Sequence, residues 1–334
     1  MSPIIAILGD IHFRDDKDYF CRICEDFLQW FKDWSVNTPD NSLILAGDLV
    51  ERNLLTGKVA EYLDRFHQYS RFKKMYICAG NHDRKTVYNL EQLSYEFYKN
   101  YDDVEIFEEI GEADINGQKV LFLPYFTGQN SFGLTMSEYY SELYRDPKYQ
   151  KHYDLIVGHC SGPELGFQGQ TDIVRNLDKL DVDRICFGHI HTRFANPSVY
   201  IGSVFAGKKG ENDNSRAAWL FDGTWKEQKL PLFNEFMEIT YPQRLMPTQV
   251  RTPIYTVLNC ANEAIAREKY GNIYIRKTSA GASDSVHKSL AEFDEQFLSV
   301  RNMKQDELFQ AFITANPDLP KEVVEECRSA LGIA

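Results

Sequence analysis

The chain has 334 residues, of which 43% are hydrophobic, 26% charged and 13% aromatic, and it carries a formal net charge of −12. That length suits about two domains of roughly 150 residues each, and the composition excludes a disordered chain, a collagen-like repeat and a small disulfide scaffold. Residues 1–240 hold 26 basic and 37 acidic side chains, a poor counter-ion for a nucleic-acid backbone unless a bound metal or a partner supplies positive charge.

The apolar runs are too short to span a bilayer, and the opening MSPIIAILGD lacks the basic region and apolar length of a secretory leader. A soluble, intracellular, cytoplasmic protein is expected. The seven cysteines (21, 24, 78, 160, 186, 260 and 327) are odd in number and scattered, which fits reduced thiols. Cys21 and Cys24 form a C-x-x-C inside the helical pattern DYFCRICEDFLQWFKDW; core-facing helix positions account for them better than a redox pair or a zinc site.

In chain order, five short apolar runs read as buried strands, each ending in a glycine-containing loop. The run 4–8 leads into Gly9-Asp10-Ile11-His12, and 43–46 into Gly47-Asp48. The run 75–79 leads into Gly80-Asn81-His82-Asp83, 155–157 into Gly158-His159, and 185–187 into Gly188-His189-Ile190-His191. Helical patterns cover 16–34, 55–72 and 89–100, so the first strands should pair in parallel with right-handed crossovers. Ligand residues in such sheets gather beyond the carboxyl ends of the strands, and all five loops should therefore converge. Asn116-Gly117 signals a hairpin, and 198–207 and 216–225 read as further strands, giving two packed sheets with helices outside. Pro242, Pro247 and Pro253 mark a boundary. The expected organisation is a domain over 1–240, a small α/β capping domain over 241–283 and C-terminal helices over 284–334.

Five of the eight histidines lie in the five loops, with Asp10, Asp48 and Asn81 beside them. Imidazole mixed with carboxylate and amide oxygen suits Mn²⁺, Fe²⁺ or Zn²⁺ better than Mg²⁺ or Ca²⁺, and the lack of a thiolate set argues against a structural zinc. Even with one of these eight side chains left out, seven ligands are too many for one tetrahedral ion and about right for two that share a carboxylate. Two ions about 3.5–4 Å apart clamp the attacking and leaving oxygens of an in-line displacement. They also leave a local positive charge on an acidic protein. Each fragment alone is a weak signal: Gly-Asp is commonly a turn, and an isolated histidine usually packs or faces solvent. All five, in order and each after a strand, are not.

The ordered set Asp10-x-His12, Gly47-Asp48, Gly80-Asn81-His82-Asp83, Gly158-His159 and Gly188-His189-x-His191 resembles the calcineurin-like metallophosphoesterases. The resemblance implies a four-layer α/β/β/α sandwich with a binuclear centre. Asp10, His12 and His191 would hold one ion, Asn81, His159 and His189 the other, and Asp48 would bridge. His82 would stabilise the transition state or protonate the leaving oxygen, with Asp83 orienting it. The segment Gly47-Asp48-Leu49-Val50-Glu51-Arg52 is not far from the phosphoprotein phosphatases, but those carry Glu where this chain has Asp83, and they lack the closing His-x-His. Tyr200-Ile201-Gly202-Ser203 and the strand that ends in Phe221-Asp222 are similar to the SbcD-type DNA repair nucleases, above all their T4-like phage recombination branch. Phe13-Arg14 departs from that pattern, which has Leu-Gly.

This second resemblance implies a manganese-dependent DNA nuclease, exonuclease and also endonuclease. It would act in repair or recombination as a homodimer beside an SMC-like, SbcC-type ATPase, in a bacterial cell or a phage-infected host. The dimer contact would come from 16–72, although ordinary core packing explains the Phe, Trp and Leu of these helices too, and 284–334 would serve the ATPase. The alternatives are a phosphodiesterase or phosphatase acting on a small molecule or phosphoprotein, and a non-catalytic scaffold. Arg52, Arg84 and Arg193 lie close to ligand positions, and Arg84 and Arg193 are the preferred substrate clamp. Lys208 and Lys209 could touch phosphate, and a solvated hairpin tip explains them equally well. Tyr139, Tyr140, Tyr144, Tyr149 and Tyr153 could stack on bases, although helix-face packing explains them better.

Overall fold

All five apolar runs form strands, each ending at its glycine or within two residues of it. In the computed structural model the described residues are 4–38, 40–51, 55–87, 90–127, 132–162, 173–195, 198–207, 211, 216–238, 255–260 and 274–277. Arg52, Lys208, Lys209, the boundary prolines and the helices expected within 261–334 lie outside them.

The order is β1 (Ile5–Leu8), α1 (Asp18–Ser35), β2 (Ser42–Leu45), α2 (Gly57–Tyr69), β3 (Lys74–Cys78), β4 (Arg84–Val87), β5 (Leu90–Leu93), β6 (Val104–Phe107), β7 (Gly111–Ile115) and β8 (Gln118–Leu123). Then come α3 (Met136–Ser141), β9 (Tyr153–Gly158), β10 (Val182–Phe187), β11 (Phe194–Ala195), β12 (Val199–Tyr200), β13 (Ala217–Phe221) and β14 (Trp225–Lys229). Last are β15 (Asn234–Glu238), β16 (Tyr255–Cys260) and β17 (Tyr274–Lys277). One six-stranded sheet runs β14-β13-β1-β2-β3-β6, and a second runs β11-β12-β10-β9-β8-β7. β1, β2, β3 and β6 are parallel, as are β8, β9, β10 and β12. β15, β16 and β17 form a separate small sheet. Both large sheets belong to one compact unit, Met1–Arg276; a second, Lys277–Ala334, is described only at its first residue.

Alternation along each strand separates three cores, because successive side chains leave opposite faces. Ala6, Leu8, Leu43, Leu45, Met75 and Ile77 pack under α1 and α2. Their neighbours Ile5, Ile7, Ile44, Tyr76 and Cys78 face Val120, Phe122, Leu155 and Val157 of the second sheet. Leu121, Leu123, Ile156 and Phe187 face outward against Tyr140 of α3. The result is the expected mixed α/β sandwich of two sheets with helices outside. α1 contributes Phe20, Ile23, Cys24, Phe27, Leu28 and Phe31, spaced three and four apart. Each fully buried phenylalanine contributes about 1.5–3 kcal/mol.

Two readings change. The helix expected over 89–100 is instead β5 followed by one 3-10 turn, Glu96–Asn100. β5 pairs antiparallel with β4, Ser94 N donates to Asp83 O at 2.9 Å, and Tyr98 N donates to Tyr95 O at 2.9 Å, the i to i−3 bond of a 3-10 turn. The stretch 198–207 keeps only the two-residue β12, because Gly202, at φ +75°, turns the chain. The Asn116-Gly117 hairpin forms as expected, with φ 56° and 80°. Cys24 is buried and Cys21 half-buried, both as free thiols. Tyr140 and Tyr149 are packed against the second sheet, and Tyr153 is the first residue of its β9. Among the described residues no helix is long and apolar enough to cross a membrane.

Candidate metal centre

Backbone bonds beyond the strand ends continue both sheets into the loops and lock them together. Asp10 N donates to Gly47 O (3.1 Å), His12 N to Asp48 O (2.9 Å), His159 N to Leu123 O (3.0 Å) and Gly188 N to Gly158 O (3.0 Å). Between the sheets, Tyr125 N donates to Ala79 O at 2.8 Å. The approach is close enough to require glycine. A Cβ on Gly188 would stand 2.0 Å from Ala46 O, and one on Gly47, at φ +91°, 2.0 Å from His159 Nδ1. Asp10, His12, Asp48 and His189 also hold positive φ, from 49° to 78°. Positive φ on a non-glycine residue is strained, and its concentration here marks a site held by its surroundings.

The loops bring the expected donors to one place. Three groups have donor atoms within 4.8 Å of one another: Asp10, His12 and His191; His12, Asp48 and His82; and Asp48, His159 and His189. His12 Nε2 and His191 Nε2 are 3.0 Å apart. Asn81 Oδ1 lies 3.0 Å from both His159 Nε2 and His189 Nδ1. One oxygen, Asp48 Oδ2, stands 3.2 Å from His159 Nε2 and 3.7 Å from His12 Nε2, so a single carboxylate reaches both halves. The other, Oδ1, accepts from His82 N at 2.8 Å, and the Asp10 carboxylate accepts from His189 N at 2.9 Å.

Asp83 and the two arginines have different surroundings from those expected. The Asp83 carboxylate does not orient His82. It accepts from Leu49 N (2.8 Å), Val50 N (3.2 Å), Gly80 N (2.8 Å) and Tyr95 Oη (2.9 Å), stapling the loop after β2 to the loop after β3. Its four partners lie on other backbone groups and on Tyr95, so adjacency in sequence does not bring it to the His82 ring. His82 is oriented by Glu51, whose carbonyl accepts from its Nδ1 at 2.6 Å. Arg84 Nη2 donates to Glu108 O at 2.5 Å, and Arg193 pairs with Glu227 (2.6 Å) above the Trp219 ring. Sequence reasoning missed two carboxylates: Glu51 Oε2 is 3.1 Å from His12 Nδ1, and Glu211 Oε1 is 2.9 Å from His191 Nδ1. Asp83→Ala would strip the acceptor from three backbone N–H groups at once. We expect it to cost about 3 kcal/mol or more of stability in urea unfolding of the metal-free protein; a loss below about 1 kcal/mol would contradict the staple.

The chemistry of this donor set fits cations. His159 Nδ1 donates to Ala46 O at 2.8 Å, so in the neutral ring Nε2 is a bare lone pair facing the oxygens of Asn81 and Asp48. Three acceptors converging in a buried place need a positive charge between them. Without a metal, a proton fills the role. Burial alone would lower the His159 pKa, but the Asp48 carboxylate overrides it and pushes it up to about 10. Burial also opposes an ionised Asp48, yet His159 and His12 hold its carboxyl below the usual range. His12 is likewise raised: burial works against the charge, and Glu51, Asp48 and Asp10 outweigh it. At pH 7.5, below that raised His159 pKa, the metal-free site carries a proton that an incoming cation must displace. Uptake of Mn²⁺ should release about one proton or more, read by calorimetry in buffers of different ionisation enthalpy. Heats independent of the buffer would contradict it.

A family model, calcineurin-like phosphoesterase, matches residues 4–193, more than half the chain and every loop of this site. The chain belongs to the calcineurin-like phosphoesterase family. The family carries out metal-dependent phosphoester hydrolysis and typically binds two divalent metals, for which this chain presents candidate ligand clusters. Among solved structures, the phosphopantetheinyl hydrolase of Mycobacterium tuberculosis is 15% identical, with a TM-score of 0.37 over 63% of this chain and 91% of that one. A protein of unknown function from Aquifex aeolicus is 16% identical, with a TM-score of 0.29 over 54% and 90%. No curated protein matches the chain by sequence.

Proposed function

We propose that this calcineurin-like phosphoesterase is a DNA nuclease that hydrolyses phosphodiester bonds with two divalent ions, Mn²⁺ foremost. The observation that carries the two-ion reading is Asp48 Oδ2, within 3.7 Å of His12 Nε2 and 3.2 Å of His159 Nε2. On this reading Asp10, His12 and His191 would hold one ion, Asn81, His159 and His189 would hold the other, and Asp48 would be shared. When bound, the ions supply Lewis acidity toward phosphoryl oxygens and lower the pKa of water into the neutral range.

The chain's own residues then divide the work. The Ala46 carbonyl fixes the tautomer of His159, and the Glu51 carbonyl fixes that of His82. With Nδ1–H given to that carbonyl, Nε2 of the neutral His82 ring is a lone pair, and His82 serves the leaving oxygen as the imidazolium, which carries a second proton at Nε2. The ring is half-buried and stands edge-on to His12, with centroids 4.9 Å apart. Arg193 reaches substrate by exchanging Glu227 for a phosphodiester, and Arg84 by leaving the Glu108 carbonyl.

Support for DNA comes from the Tyr200–Ser203 turn of the SbcD-type resemblance, whose Ser203 N donates to His191 O at 3.1 Å. The same reading makes the protein a cytoplasmic homodimer, through α1 and α2, and assigns 284–334 to an SMC-like ATPase. The acidic excess of residues 1–240 favours a second reading, a phosphodiesterase or phosphatase for a small molecule or phosphoprotein. Labelled linear and hairpin DNA with Mn²⁺ tests the proposal. Cleavage is expected. No cleavage, with or without the ATPase, overturns it, and turnover of cyclic nucleotides far above that of DNA selects the second reading.

A further inference from the structure

Glu211 lies outside the five motifs, 20 residues after His191. It is buried, 8% exposed, and both carboxylate oxygens are engaged: Oε1 accepts from His191 Nδ1 at 2.9 Å, and Oε2 from Gly207 N at 2.8 Å. Its carbonyl accepts from the buried Arg216 guanidinium. The Nη1 of Arg216 also donates to Ser203, at the carbonyl and at Oγ. Ser203 N in turn donates to His191 O at 3.1 Å. Gly202 lets this turn lie against the His191 backbone, since a Cβ there would stand 3.1 Å from His191 O. The circuit begins and ends on His191, gripping its backbone through Ser203 and its imidazole through Glu211.

A carboxylate behind an imidazole fixes the proton on Nδ1 and leaves the Nε2 lone pair free. It also makes that nitrogen a better donor. Here Nε2 faces His12 Nε2 at 3.0 Å and Asp10 Oδ1 at 3.9 Å. His159 has only a neutral carbonyl in the equivalent place. We propose that Glu211 is a positioning residue for divalent-ion binding at Asp10, His12 and His191, held in place by Arg216 and the Tyr200–Ser203 turn. The proposal rests on the two-ion reading above.

The test titrates Mn²⁺ into metal-free full-length wild type, Glu211→Gln and Glu211→Asp. Occupancy and affinity are read by equilibrium dialysis and electron paramagnetic resonance, and folding by metal-free thermal unfolding. Gln keeps the size and an acceptor oxygen but removes the charge. Glu211→Gln should weaken one of the two ions by about 10–100-fold and leave the other and the metal-free Tm unchanged. Glu211→Asp, which keeps the charge one methylene further back, should weaken the same ion less. Wild-type affinity for both ions in Glu211→Gln overturns the proposal, as does a loss that only tracks a fall in the metal-free Tm. If Glu211→Gln does not fold, Glu211→Asp decides alone, and two ions at wild-type affinity in it overturn the proposal. A wild type that binds no divalent ion removes the two-ion reading itself, whereas two ions in wild type and an unaffected Glu211→Gln remove only the role of Glu211.

Discussion

Asp48→Asn should abolish phosphoester hydrolysis and leave the protein with at most one tightly bound divalent ion. The carboxylate is buried, and its Oδ2 faces His159 and His12 together, where a shared oxygen is needed. Asn can still accept the bond from His82 N through its carbonyl oxygen. Its NH₂ would then stand where Oδ2 was, a donor where a cation needs an acceptor. The loss of affinity should exceed the roughly 10–100-fold that follows removal of an outer-shell partner. Metal analysis after dialysis, with circular dichroism to confirm folding, checks it. Two retained ions at wild-type affinity would show that Asp48 does not bridge.

His82→Ala should separate catalysis from metal binding. The contact that holds Asp48 comes from the His82 backbone N–H, which alanine keeps. The ring hangs from the Glu51 carbonyl through Nδ1 and leaves Nε2 for substrate. Truncation therefore removes an acid or transition-state contact and leaves the ion ligands in place. A fall in kcat of about 10²–10⁴-fold with two ions still bound is expected. The clustering of His82 with His12 and Asp48 makes the metal count essential to the reading. Loss of an ion together with activity would make His82 a ligand, and an unchanged kcat would remove it from the chemistry.

Much of this was legible in the sequence because the signals are local. A strand of four to six apolar residues, a glycine and a ligand-type residue are contiguous, and parallel pairing brings such strand ends to one rim. The loops that carry Asp10, His12, Asp48, Asn81, His82, His159, His189 and His191 could therefore be read in chain order before any coordinates. The Asn116-Gly117 hairpin was readable for the same reason, since two residues dictate the turn.

What escaped depends on contacts between distant segments. Glu211 meets His191 only because the chain doubles back through Gly202 and is pinned by Arg216, and no period or spacing announces that. Glu51 was visible beside Asp48 as part of a string, but its carbonyl and carboxylate serve different histidines, which sequence does not encode. Asp83 was assigned to its neighbour in sequence, whereas its bonds cross to Leu49 and Val50. Over 89–100, Leu93, Tyr95 and Tyr98 are apolar enough for a helix, whereas the β4–β5 ladder and the bond from Ser94 N to Asp83 O, both to earlier segments, hold the chain otherwise.

The central claim is that seven side chains from five loops hold two cations around one carboxylate. A crystal structure of the protein soaked in Mn²⁺, with anomalous scattering at the manganese edge, tests it most directly. Two peaks about 3.5–4 Å apart, both touching Asp48, are expected. A single peak, or none within reach of Asp48, would contradict the account.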